Sequence, residues 1–229
     1  MAAASLPAER QLSARDRWVS FAEFALGTFL VIGHNIFHIV PNEVPFLFVL
    51  FWASALLRGG QWKGVGLKRP SSWLKTVLLA VAAAAVLQLG SEFVVEPLAS
   101  YLWHTPENVS SLLKIPLHDW KVGLRSLVIV WIFAGFGEEI GYRGYLLTRA
   151  ADLGNRSKIA YVVAMLYVAA LFGFGHFYKG PAGVMDSTYS GLVLGSVYLL
   201  SGRNLWVPIL AHGLTDTFAV VAIFMGWAT

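Results

Sequence analysis

Hydrophobic positions along the chain gather into seven apolar runs, at about 19 to 40, 45 to 57, 73 to 95, 121 to 147, 158 to 178, 188 to 201 and 205 to 227. Runs of this length and purity predict membrane-crossing helices, since about 20 apolar residues span a bilayer core. The second and sixth runs are short for a full crossing and predict tilted, broken or re-entrant segments. Helix breakers stand between the runs: Pro41 and Pro45, the stretch RGGQWKGVGLKRPSS, Pro106 and Pro116, then GNRSK, KGP and SGRN. Neither an internal repeat nor a low-complexity tract interrupts this order. The expected fold is therefore all-α, a polytopic transmembrane helix bundle of about seven spans forming a single domain over residues 1–229.

Composition agrees. Of the 229 residues, 57% are hydrophobic and 13% charged, and the mean hydropathy is +0.63, far from the balance of a soluble domain. Cysteine is absent, which excludes disulfides, thiolate zinc sites and cysteine nucleophiles. The net charge of +4 does not indicate nucleic acid, because the basic residues are scattered between apolar runs.

Charge instead carries topology. With the N-terminus inside, the inner loops and ends hold Arg10, Arg15, Arg17, Arg58, Lys63, Lys68, Arg69, Lys75, Arg143, Arg149, Arg156, Lys158 and Arg203, against Lys114, Lys121, Arg125 and Lys179 outside. This asymmetry fits seven spans with a cytoplasmic N-terminus. Residues 1–18 form a basic cytoplasmic arm that resembles the start of a signal peptide. No small-x-small cleavage site follows, so the first helix is expected to be retained.

Against this background GFGEEIGYRGYLLTRA, residues 135–150, places three charges in the fourth run. Adjacent Glu138 and Glu139 point about 100° apart on a helix and cannot serve one partner. Arg143 follows Glu139 by four residues, the order that favours an ion pair on one face. Pairing of those two would leave Glu138 free. Read as structure alone, the cluster marks a helix end; charged groups in a membrane segment point more strongly to function. His176, four residues after Phe172, lies beside Gly173 and Gly175 near the end of the fifth run. His212 and Asp216 share a face of the seventh, as a hydrogen-bonded pair. Counted at 1.5 Å per residue from the inner ends, Glu138 and His176 stand about 24 and 27 Å up, Asp216 and His212 about 17 and 10 Å. Those heights overlap within helix tilt, with His212 lowest.

EEIGYRG resembles an EExxxR signature, FGFGH an FxxxH signature and HGLTD an HxxxN-type signature, all of the CAAX-protease and bacteriocin-processing (CPBP, or Abi) family of intramembrane endopeptidases. The likeness covers roughly Trp131 to Ala219 and implies a catalytic core within 121–229. It implies that Glu138 activates a water, that His176 holds the same water, and that His212 and Asp216 stabilise the oxyanion, with Glu139, Arg143 and Phe172 in support. An ionised Asp216 in place of the usual Asn would repel an oxyanion, so it must be protonated, orient His212 or bind a metal. Hydrolysis without Ser or Cys needs an activated water, a proton acceptor and an oxyanion donor, and Glu138, His176 and His212 are able to supply them. The same three are a donor set for an open zinc site, although no HExxH helix is present. A glutamate-activated water is the preferred mechanism.

The expected protein is thus an intramembrane endopeptidase of a bacterial inner membrane, acting on a membrane-bound protein or peptide. Its alternative is a catalytically silent family member serving as a membrane scaffold; a small transporter explains the charges but not three ordered motifs. Other features have plainer readings. His34 and His38, with Asn35, share a helix face near the outer interface and are expected to be solvated there, as are Glu92 and Glu96. Trp18, Trp73, Trp103, Trp120, Trp206 and Trp227 suit an aromatic belt. The spacing of Gly191 and Gly195 predicts helix packing.

Overall fold

The computed structural model describes residues 12–59, 65–104 and 118–227. Seven helices follow one another in the order of the seven apolar runs: α1 Ala14–Asn35, α2 Glu43–Leu57, α3 Trp73–Trp103, α4 Trp120–Leu153, α5 Lys158–Phe174, α6 Phe177–Leu200 and α7 Trp206–Met225. No strand occurs among the described residues, and the protein is an all-α membrane bundle. Its exterior is apolar: α3 has a mean hydropathy of 2.0, yet only 17% of its most hydrophobic stretch is buried within the protein. Bilayer hydrocarbon is the solvent such a surface needs.

Three helices, α3, α4 and α7, are by themselves long and apolar enough to cross, and α5 with α6 makes a fourth candidate as a pair bent by 55°. The α2 helix of 15 residues reaches only about 22 Å at 1.5 Å per residue, short of a core about 30 Å thick. Helix α1 carries Arg15, Asp16, Arg17 and Glu23 within its span. It also begins earlier than the hydrophobic run, because Ser13 and Asp16 form a capping box at its N-terminus. The expected arm is therefore helical from Ala14, while residues 1–11, Lys63, Lys114, Pro106 and Pro116 lie outside the described residues.

Helix α4 is the central element. It packs against α2, α5 and α7, and from Val130 to Leu146 it adopts wide i→i+5 turns. Such turns are rare and concentrate at functional sites; here they carry the whole EEIGYRG motif. Close approach on one side depends on Gly137, where a Cβ would fall 2.8 Å from Val44 Cγ1 of α2. On the other, Trp131 Nε1 donates to Thr217 Oγ1 of α7 at 3.0 Å. The buried core joins Leu47 and Phe51 of α2, Tyr142, Tyr145 and Leu146 of α4, Val168 and Phe172 of α5, and Leu205 and Ile209 at the start of α7.

The small-residue spacing in α6 packs helices, as its sequence suggests: Gly191 sits on the α5 backbone, with Ala169 Cα 2.8 Å from where a Cβ would stand. Tryptophans Trp18, Trp73, Trp103, Trp120 and Trp227 are exposed near helix ends, as membrane-interface anchors are. His34 departs from its solvated reading: its Nδ1–H donates to Val40 O at 2.9 Å, and Nε2 lies 3.6 Å from Glu43 Oε2. His38 shares no face with it, because α1 ends at Asn35 and His38 takes a left-handed turn at φ 55°.

Replacing Gly191 by Val forces apart α5 and α6, since the obstacle is backbone and has no rotamer to yield. We expect a loss of about 1–3 kcal/mol, measured as a lower thermal midpoint of the purified protein; an unchanged midpoint would show that the contact is loose.

Candidate active site

A buried carboxylate organises the site. Glu139, fully buried on α4, accepts from Arg143 Nη1 at 2.7 Å, which is the pair that i,i+4 spacing suggests. The same oxygen, Oε1, also accepts from His212 Nδ1 of α7 at 2.8 Å. Arg143 is itself 1% exposed. Its guanidinium stacks on Phe172 of α5 at 4.5 Å, and its Nη2 donates to Gly191 O of α6 at 3.4 Å. One ion pair thereby ties four helices together.

Because an ionised carboxylate only accepts, the Nδ1 proton of His212 is committed to Glu139, and Nε2 faces the interior. Asp216 Oδ2 stands 3.7 Å from that Nε2, beyond hydrogen-bond range. The expected His212–Asp216 hydrogen bond is therefore absent, and the partner of His212 is Glu139. One turn separates residues 212 and 216 on α7, but the wide turns of α4 bring the Glu139 carboxylate closer.

His176 does not sit on a helix. It occupies the break between α5 and α6, with φ −114° and ψ 26°. Backbone N–H groups of Gly175 and His176 reach Leu171 O and Gly173 O, leaving Phe172 O to be met by the His176 ring: Nδ1–H donates to it at 2.9 Å. A carbonyl only accepts, so His176 is the Nδ1–H tautomer and Nε2 holds a free lone pair. Phe172 packs edge-on to Tyr142 and against both imidazoles, at centroid distances of 5.0, 4.7 and 6.1 Å.

These groups border one cavity of about 250 Å³. Glu138 enters it from α4, His176 from the break, and His212 and Asp216 from α7. At about 30 Å³ of liquid volume each, several waters fit. Glu138 Oε2 is buried without a hydrogen-bond partner from the protein, so Glu138 is the one member of the EE pair not held by a cation. Among the described residues no three His, Asp or Glu side chains are grouped to hold a metal.

Several lining residues were not evident from the sequence. Lys179, Asp186, Ser187 and Ser190 face the same cavity, and Asp186 Oδ1 accepts from Ser91 Oγ of α3 at 2.5 Å. The i,i+4 spacing of Asp186 and Ser190 was available as a signal, but the sixth apolar run begins after Asp186. Glu43 gave none, lying between two prolines that read as a loop; it is a buried residue in the first turn of α2 and accepts from Tyr142 Oη at 3.3 Å.

Glu139→Gln or Arg143→Ala strands the opposite charge in a dry interior, a loss of about 3–5 kcal/mol. We expect both variants to give markedly lower folded yield in size-exclusion profiles after detergent extraction, with Arg143→Ala also loosening Phe172. Wild-type yields for both would refute the structural role of the pair.

No curated protein and no solved structure matches the chain. A family model described as Type II CAAX prenyl endopeptidase Rce1-like matches residues 120–218, somewhat under half of the chain. That stretch holds Glu138, Glu139, Arg143, Phe172, His176, His212 and Asp216, and its match agrees with the protease family that the three motifs resemble. Residues 120–218, the part of the chain that supplies these side chains, are thus similar to the Rce1-like type II CAAX prenyl endopeptidases.

Proposed function

We propose that the protein is an intramembrane endopeptidase that cleaves a peptide bond of a membrane-associated protein or peptide with a water activated by Glu138. The observation that carries this reading is the unpartnered Glu138 carboxylate on a polar cavity shared with two imidazoles whose free nitrogens face it. A scaffold would have no need of such convergence, and the residues would be free to lie on separate faces.

In the proposed reaction a water lies between Glu138 and His176 Nε2, and the imidazole accepts a hydrogen bond from the O–H that the water keeps. Glu138 takes the other proton as the oxygen attacks the scissile carbonyl carbon, and the C–O bond forms as the carbonyl π-bond opens to an oxyanion. Donation to that oxyanion falls to His212 Nε2 and requires the doubly protonated ring, since the Nδ1 proton is held by Glu139. Collapse breaks the C–N bond as Glu138 returns its proton to the leaving amine. Asp216, 3.7 Å from His212 Nε2, serves as a counter-charge to that ring. No step here uses a metal.

Substrate reaches the cavity from the lipid side, so a peptide carrying its own membrane anchor is the class proposed. The basic ends of α1, α2 and α4 are assigned to the cytoplasmic side, with a seven-span topology, by the charge asymmetry of the loops. A bacterial inner membrane suits this topology.

Glu138→Gln preserves shape and removes the base. Cleavage of a reconstituted membrane-anchored peptide should fall by at least about 100-fold, the scale of a lost general base, with thermal stability kept. Wild-type cleavage by this variant would remove Glu138 from the mechanism. Asp216→Asn tests the counter-charge separately: it should retain fold and lower the rate by less than Glu138→Gln does, and a total loss would give Asp216 a direct part in the chemistry.

A further inference from the structure

A second polar cluster lies at the opposite end of the bundle, away from the catalytic cavity. Arg58 at the end of α2, Arg149 in the last turns of α4 and Arg156 in the turn to α5 border a pocket of about 70 Å³, closed on its apolar side by Phe51 and Tyr145. Two carboxylates attend these three guanidiniums. Glu23 of α1 accepts from Arg58 Nη1 at 2.8 Å, and Asp152 accepts from Arg156 Nε at 2.6 Å. Both carboxylates also lie near the guanidinium of Arg149.

Arg149 is the most deeply buried of the three. It is 2% exposed, and neither its Nε nor its Nη1 makes a hydrogen bond within the protein. Nη1 lies 3.0 Å from Asp152 Oδ2 and 3.8 Å from Glu23 Oε2, near enough for Coulomb attraction but without hydrogen-bond alignment. The best-placed carboxylate oxygens are engaged elsewhere: Asp152 Oδ2 accepts from Ser20 Oγ at 2.8 Å, and Glu23 Oε2 from Ser54 Oγ at 3.2 Å. A buried guanidinium with two unmet donors is costly unless an acceptor arrives.

Depth narrows the acceptor. Trp18, 71% exposed, lies less than one turn before Ser20 on α1 and edge-on to Phe21. An outward-facing aromatic pair of this kind marks the membrane interface, which sets the arginine pocket at headgroup level. Planar guanidiniums bind phosphate oxygens in pairs, and a volume equal to about two waters admits one phosphoryl group. We propose that Arg58, Arg149 and Arg156 form a binding site for a phosphate oxyanion at the membrane interface, bridging α1, α2 and α4 and independent of the catalytic cavity.

The test uses the purified full chain in neutral detergent at constant ionic strength. Its thermal midpoint is followed against inorganic phosphate, against dihexanoyl phosphatidic acid and against phosphate-free dihexanoylglycerol. A rise of about 5 °C is expected at saturation with a phosphate-bearing ligand. A rise with inorganic phosphate identifies a free-anion site, and a rise with phosphatidic acid alone identifies a lipid headgroup; either supports the proposal. Arg149→Lys keeps the charge but not the fork and should weaken the response at least tenfold. Arg156→Gln, at a partly exposed position, carries the same test if the first variant does not fold. No rise with either phosphate ligand, an equal rise with dihexanoylglycerol, or an undiminished rise in the folded variants overturns the site.

Discussion

One fully buried carboxylate oxygen holds this structure together. Glu139 Oε1 is shared by a guanidinium from its own helix and an imidazole from α7, and that guanidinium in turn reaches α5 and α6. In a bilayer the apolar faces of helices gain little by leaving lipid for each other. Charge pairing and close backbone contact must then decide which faces meet. The arrangement explains why the charged motif sits on the most central helix instead of at its end.

The division of labour between the two adjacent glutamates follows from the same constraint. Glu139 is neutralised and structural in position, although it also fixes the proton on His212. Glu138, one residue earlier, turns to the cavity with an oxygen that no protein donor meets. Neighbours in sequence thereby occupy different electrostatic settings, one ion-paired through Oε1 and one facing the cavity. Among the described residues the buried charges gather at the Glu139 cluster, the Glu43–Tyr142 contact and the arginine end, while the perimeter is left to lipid.

Much of this was legible in the chain. Helix number and order follow from apolar length alone, and the Glu139–Arg143 pair from i,i+4 spacing. The motifs of α4, α5 and α7 converge as their family resemblance implies. What escaped is instructive. His212 and Asp216 share a face, so they read as a bonded pair; only the wide turns of α4, which no periodicity announces, put Glu139 nearer to His212. Asp186 was lost because α6 begins in a glycine- and proline-containing stretch that reads as a breaker, and Glu43 because flanking prolines read as a loop although Asn42 caps a helix there. Hydropathy records what faces lipid. It says little about which polar atoms meet inside.

The break between α5 and α6 has a consequence for how this scaffold tolerates change. At that point an imidazole supplies the hydrogen bond that the main chain no longer gives to Phe172 O. Termination of a helix and selection of a tautomer are therefore a single event. A substitution that straightened the rod would hand the carbonyl back to a backbone amide and free the ring to turn over. Bend and proton inventory are inherited together, so neither can drift without the other.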